Sequence, residues 1–172
     1  MKTQILFYPF LILGLFLTAC KNNSETTLAS ADQGNEPNCI TFKVDGVPVK
    51  TSGWNISRFK IGEEINLNVT TNMHDDKRTV MLNLRGSAPG KYSLDEGASG
   101  KLSGYGDYKP DYTNLLESYR FVQGNFIIQS IDTAKCLLNA TFFGKVEKGT
   151  DILSITDGKI VNGSIRKSID TY

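Results

Sequence analysis

The chain has 172 residues, with 19 basic and 18 acidic side chains, a formal net charge of +1 and 40% hydrophobic residues. That balance lacks the basic excess that draws nucleic acid and the acidic run that marks a solvating tail, so neither class of partner is expected. The length suits one domain with flanking segments, large enough to bury a core without help from metal.

The first segment is Met1-Lys2-Thr3-Gln4, then an apolar run from Ile5 to Leu17, then Thr18-Ala19-Cys20. One cation, about thirteen apolar residues and small residues before a cleavage point make a secretory signal peptide over 1–19. The run contains Pro9 and falls short of the roughly twenty residues a spanning helix needs. Leu17-Thr18-Ala19-Cys20 resembles the lipobox of bacterial lipoproteins. The resemblance implies cleavage before Cys20, acylation of its sulfur with diacylglycerol and palmitate-type chains, and a membrane lipid anchor. Two or more chains hold stably where one holds only marginally, at about 0.8 kcal/mol per buried methylene. Lys21 follows the anchor where an inner-membrane retention signal would carry aspartate, so the cell outer membrane is expected, its periplasmic or surface face left open. The plain alternative is a soluble secreted protein in which Cys20 is incidental.

Residues 20–38 are rich in Asn, Ser, Thr, Glu and Gly and hold one large apolar residue, Leu28. Such a segment cannot bury enough surface to offset its ordering entropy, and it reads as a disordered tether with a root-mean-square span of about 20–25 Å. The domain is expected over 39–167, with a short tail at 168–172.

Within the domain the pattern has period two. Ile65, Leu67 and Val69 alternate with Asn66, Asn68 and Thr70; Val80, Leu82 and Leu84 alternate with Met81, Asn83 and Arg85; Leu138, Ala140 and Phe142 alternate with Asn139, Thr141 and Phe143. Half-buried antiparallel strands have this pattern. About nine strands are predicted, over 40–45, 47–50, 54–60, 64–71, 79–85, 101–106, 119–130, 136–146 and 152–165. Asp45-Gly46 marks a two-residue hairpin, because both residues accept positive φ. Pro48 assigns the returning strand to an edge, since it cannot donate to a ladder. Ser87–Gly90 and Asp132–Lys135 read as turns, and Asp157-Gly158 is expected to break the last strand. The single helical candidate is one turn around Tyr112–Tyr119. The fold class is therefore all-β, a single antiparallel domain forming a β-sandwich or a closed β-barrel.

Ile40-Thr41-Phe42-Lys43-Val44-Asp45-Gly46-Val47-Pro48-Val49, with Gly124–Asp132, Ala140–Val146 and Ile155–Ile160, resembles a family of small uncharacterised lipoproteins of Gram-negative bacteria, a domain of unknown function. The resemblance covers the two ends of the domain and rests on turn glycines and apolar core positions. It implies a fold and carries over no catalytic residue.

Cys39 and Cys136 remain after the anchor. In an oxidising compartment they form a disulfide or stay as small buried apolar residues, and spacing alone leaves both open. His74, the only histidine, lies in the polar stretch 72–78, which reads as a solvated hairpin tip. Every Ser/His/Asp or Cys/His arrangement would need it, so no enzyme activity is expected. Structural zinc wants four Cys or His ligands and is not expected. Asp75-Asp76 and the pair Asp107 and Asp111 lack the loop pattern of a calcium site. No cofactor or metal is expected, and carboxylate pairs for glycoside cleavage cannot be placed from sequence.

The segment from Gly104 to Tyr119 holds four of the chain's seven tyrosines. Its glycines and proline argue against a regular central strand. Rings on such a loop suit stacking on a sugar or seating a small apolar ligand, so Tyr105, Tyr108 and Tyr112, joined by Trp54, are candidate ligand-binding residues. On this reading Tyr108→Ala and Tyr112→Ala abolish ligand retention. The plain alternative is that the tyrosines cover the end of the core. The chain then reads as a membrane-anchored, non-enzymatic ligand-binding module; a second reading is a structural or assembly partner of another envelope protein, through the strand edge near Pro48.

Overall fold

The computed structural model describes residues 38–51, 53–72, 76–114 and 116–166. The signal peptide, Cys20, nearly all of the tether, His74, Asp75 and the C-terminal tail therefore lie outside the described residues. The fold is ten strands: β1 Cys39–Val44, β2 Val47–Thr51, β3 Gly53–Ile61, β4 Glu64–Asn72, β5 Thr79–Leu84, β6 Gly90–Ser93, β7 Gly104–Lys109, β8 Tyr119–Asp132, β9 Leu137–Lys148 and β10 Asp151–Arg166. Among the described residues there is no helix, and Tyr112–Tyr119 holds turns and the start of β8.

Of the two expected architectures, the closed barrel is the one formed. Seven strands close in the order β10-β3-β4-β5-β7-β8-β9 and back to β10, while β1, β2 and β6 lie outside the ring. Six junctions are antiparallel and one, β10 with β3, is parallel. The parallel seam corrects the expectation of a wholly antiparallel domain. Each antiparallel junction reverses strand direction, and seven reversals cannot return a strand to its own direction. An odd ring needs at least one parallel junction, met here by Ile165↔Ile56 and Arg166↔Ser57.

The alternation seen in the sequence decides what goes inside. Leu67 and Val69 of β4, Val80, Leu82 and Leu84 of β5, and Ala140, Phe142 and Val146 of β9 are all buried. Phe142 lies between Phe42, centroid 6.0 Å away and tilted 49°, and Phe126, 6.2 Å away and nearly parallel at 12°. Truncating a ring in such a stack costs about 3–5 kcal/mol. The β1–β2 hairpin turns as its sequence demands, with Asp45 at φ 47° and Gly46 at φ 79°. β2 ends the strand order, so Pro48 is on an edge strand. Asp132 caps the β8–β9 turn by accepting from the backbone N–H groups of Ala134 and Lys135 at 3.0 and 2.9 Å.

Asp157-Gly158 does not end the last strand. β10 runs through it as a bulge, with register shifts against both β1 and β9 and Asp157 at φ 52°. An Asp-Gly pair supplies positive φ equally to a turn and to a bulge, and the neighbouring strands on both sides select the bulge here. The short β6, between the Pro89 turn and the following loop, was not among the predicted strands.

β8 is the strand that positions the candidate site. One edge is bonded to β9 along its length. The other is shared: Tyr119 and Arg120 pair with β7, while Asn125–Ile128 pair with β6. Between these partners the register against β9 shifts from Phe121 to Gln123, and just beyond that bulge Gly124 faces Gly144. A Cβ on Gly144 would lie 2.4 Å from the Gln123 carbonyl oxygen and 2.8 Å from the Phe121 ring, so only glycine permits the approach.

Candidate functional site

The fork in β8 leaves a wedge between β7 and the chain that follows β6. On the β6 side, Leu94 N–H donates to Gly124 O and Glu96 N–H to Val122 O, both at 2.9 Å, and Asp95 Oδ1 accepts from Gly124 N–H at 2.9 Å. On the far side β7 meets β8 only at Asp107↔Arg120 and Tyr108↔Tyr119. Ser93 N–H donating to Leu102 O at 3.0 Å pins the narrow end. The result is a cleft of about 330 Å³ floored by Leu94 and Phe121. That volume is at the lower end of small-molecule sites.

The walls carry the chemistry. Tyr105 and Asp107 alternate along β7 with Gly104, Gly106 and Tyr108, so the first two face outward and the other three face the core. Tyr105 is 60% exposed and lines the cleft. Asp107 and Arg120 stand opposite each other in the ladder, yet among the described residues no ion pair joins them and no other partner holds either side chain. Asp95 and Glu96 add two more carboxylates, so the lining holds three acids and one guanidinium. A ring, a free carboxylate and a free guanidinium around one small cleft can stack on a flat apolar face and bond to polar groups at its rim.

The four aromatic candidates do not come together. The segment, predicted as strand only over 101–106, runs as the central strand β7 through Lys109, between β5 and β8. Its glycines serve packing rather than looping: a Cβ on Gly104 would lie 2.6 Å from Leu84 Cδ2, and one on Gly106 2.5 Å from Leu82 Cδ2. Three positions separate Tyr105 from Tyr108, an odd step that turns them to opposite faces. Tyr108 is 2% exposed and packs on Tyr119 at 6.1 Å; burial pushes its hydroxyl up to about 12. It is a core residue, which corrects its assignment to a ligand. Tyr112 is exposed but follows the other end of β7, where its N–H donates to Lys77 O at 2.9 Å. Trp54 packs against the core from β3, with β4 and β5 between it and β7. Only Tyr105 among the four lines the cleft.

The remaining candidates separate as well. Cys39 and Cys136 are both free thiols, so the disulfide left open by sequence is not formed. Cys39 lies on β1 beside Val161, while the carbonyl of Cys136, in the β8–β9 turn, accepts from Ile165 N–H on the far edge of β10. A strand and four residues of β10 stand between them. Asp76 is held by a two-toothed bond to Arg78, which lowers its pKa; Asp111 accepts from both Thr113 N–H and its hydroxyl, and from Lys77, holding it at about 2. Among the described residues no three Cys, His, Asp or Glu side chains cluster as metal ligands.

Sequence reasoning missed Asp95, Glu96 and Arg120 and weighed Asp107 only for calcium. The predicted strand stops at Gly106; continuing it through Lys109 would have put Tyr105 and Asp107 on one outward face. Arg120 becomes visible only with the register of β8.

A second cleft of about 340 Å³ lies beside the β1–β2 hairpin, walled by Phe42, Val49 and Pro48, with the Lys43–Asp157 ion pair at 2.8 Å on its rim. Its charged pair is already satisfied, and no exposed ring faces it. The β7–β8 wedge is therefore the stronger candidate. No family model, curated protein or solved structure matches this chain.

Proposed function

We propose that this chain is an outer-membrane lipoprotein, anchored through Cys20, whose barrel is a non-enzymatic binding module for a small sugar. The observation that carries the reading is the wedge, where the exposed ring of Tyr105 stands beside the unpaired side chains of Asp107 and Arg120. The apolar face of a pyranose stacks on the ring, a carboxylate accepts from vicinal hydroxyls, and a guanidinium donates in its plane. Three acids against one cation disfavour fatty acids, phosphates and other anions, so the ligand is neutral or cationic. That composition sets the sugar above the small apolar ligand.

Thermal-shift screening against a broad glycan panel tests it. A neutral or amino sugar raises the melting temperature of the wild type and not of Tyr105→Ala. A panel that moves neither protein, or moves both equally, overturns the sugar reading. The anchor is tested separately: Cys20→Ser loses labelled palmitate and no longer partitions with membranes, and a serine variant that keeps both refutes it.

The assembly-partner reading has one observation in its favour, the terminal position of β2 with Val47 55% exposed. Against it, β2 is five residues long and carries Pro48 and Lys50, the devices that blunt an edge against strand pairing.

A further inference from the structure

A cation at the other side of the ring has no counter-charge. On β3, Ile56, Arg58 and Lys60 share one side of the strand, and the register sets Arg58 opposite Leu67. Ile56 and Leu67 are fully buried, so Arg58 is on the inward-facing row, next to dry aliphatic surface. Its guanidinium reaches past β4 to the loop after β5, where Nη2 donates to Ser87 Oγ at 3.3 Å. Its Nε is buried and has no acceptor. No carboxylate of the described residues pairs with it. A guanidinium stays charged at any ordinary pH, and a buried charged donor without an acceptor is costlier than a neutral one.

Lys60 is two residues along the same row, one-third exposed. Among the described residues its only ionic contact is Glu63, at 3.8 Å and 98% exposed, a pair too long and too solvated to neutralise it. Arg58 and the Ser87 hydroxyl thus meet near the β3–β4 turn end of the barrel, with Lys60 two residues along the same row and the solvated Glu63 the one acid among the described residues in contact with the group. The other atom of this kind, Asn55 Oδ1, is an acceptor on the opposite side of β3 and does not belong to the cluster.

We propose that Arg58, Lys60 and Ser87 form an oxyanion site that takes a phosphate group. Arg58 supplies Nε and Nη as a planar fork, Lys60 a point charge, and Ser87 a hydroxyl donor. Donors from three side chains suit a tetrahedral group better than a planar carboxylate, which the fork alone would fill. The site is independent of the Tyr105 wedge and opposite to it in charge preference.

The test is a titration of the full-length protein in detergent, following the Arg58 Nε–H resonance and the backbone amides of Lys60 and Ser87. Inorganic phosphate shifts all three saturably, and chloride at matched ionic strength does not. Vesicles with and without phosphatidylglycerol are a second arm. Saturation by inorganic phosphate identifies a free phosphate ligand, and a response only to the anionic vesicles identifies a lipid headgroup; either supports the site. Arg58→Leu removes the response. Should that variant not fold, Arg58→Lys keeps the charge, loses the fork and weakens binding by about tenfold or more. The proposal is overturned if neither ligand shifts these resonances, or if the shifts persist unchanged in a folded Arg58 variant.

Discussion

Replacing Gly144 with alanine should disrupt the close approach of β9 to β8 at the fork between the two other partners of β8. The added Cβ would meet the Gln123 carbonyl oxygen at 2.4 Å and Phe121 Cδ1 and Cε1 at 2.8 and 2.9 Å. The first neighbour is backbone of a paired strand and the second a ring that is 2% exposed, so neither yields without moving others. Overpacking of this kind costs about 1–3 kcal/mol, and contact on two sides puts this case near the upper end. A folded domain of about 130 residues unfolds with an entropy near 2.1 cal/mol/K per residue, so a loss of 2–3 kcal/mol lowers the melting temperature by about 7–11 °C. Gly62→Ala is the control: nothing lies within 4 Å of its Cβ, and φ of 60° alone costs about 1–2 kcal/mol. Thermal unfolding followed by circular dichroism measures both. If Gly144→Ala melts within about 2 °C of the wild type, or no lower than Gly62→Ala, close strand approach at the fork does not govern stability.

Tyr105→Ala should leave stability within about 0.5 kcal/mol, whereas Tyr108→Ala should cost about 3–5 kcal/mol, because one ring is in solvent and the other in the core; equal losses in chemical denaturation would contradict the assignment of faces. Tyr108 is raised from 10 to about 12, so the unfolded chain releases this proton first and stability falls as pH rises from 10 towards 12. Tyr108→Phe should flatten that alkaline decline, and a slope unchanged by the substitution would mean that the burial of this hydroxyl is not its source. Asp76 has the opposite sign: its pKa is lowered by Arg78, so its contribution is present above the usual carboxylate range and fades as pH falls through the lowered value, an acid-side loss that Asp76→Asn should remove. Free Cys39 and Cys136 predict a melting temperature indifferent to reductant, and a drop on reduction would show a bond between them.

Period-two alternation made most of the strands legible, since it is a local consequence of which face of a pleat meets water. β4, β5 and β9 can be read from it almost to the residue, and the Asp45-Gly46 turn follows from φ alone. β7 was harder: its inward positions are Gly104 and Gly106, which break the apolar alternation because Leu82 and Leu84 of the neighbouring strand fill their space. β6 is four residues behind a proline turn, too short to show a period. The bulge at Asp157-Gly158 and the turn at Asp45-Gly46 share a dipeptide, and only the strands on either side of β10 distinguish them.

The sequence alone determined the all-β class and the hairpins, because hydropathy period and turn chemistry act over a few neighbouring residues. Tertiary structure decided closure of the ring, its parallel seam and the two candidate sites. Asp107 and Arg120, and likewise Arg58 and Ser87, are far apart along the chain, and strand register is what brings them together.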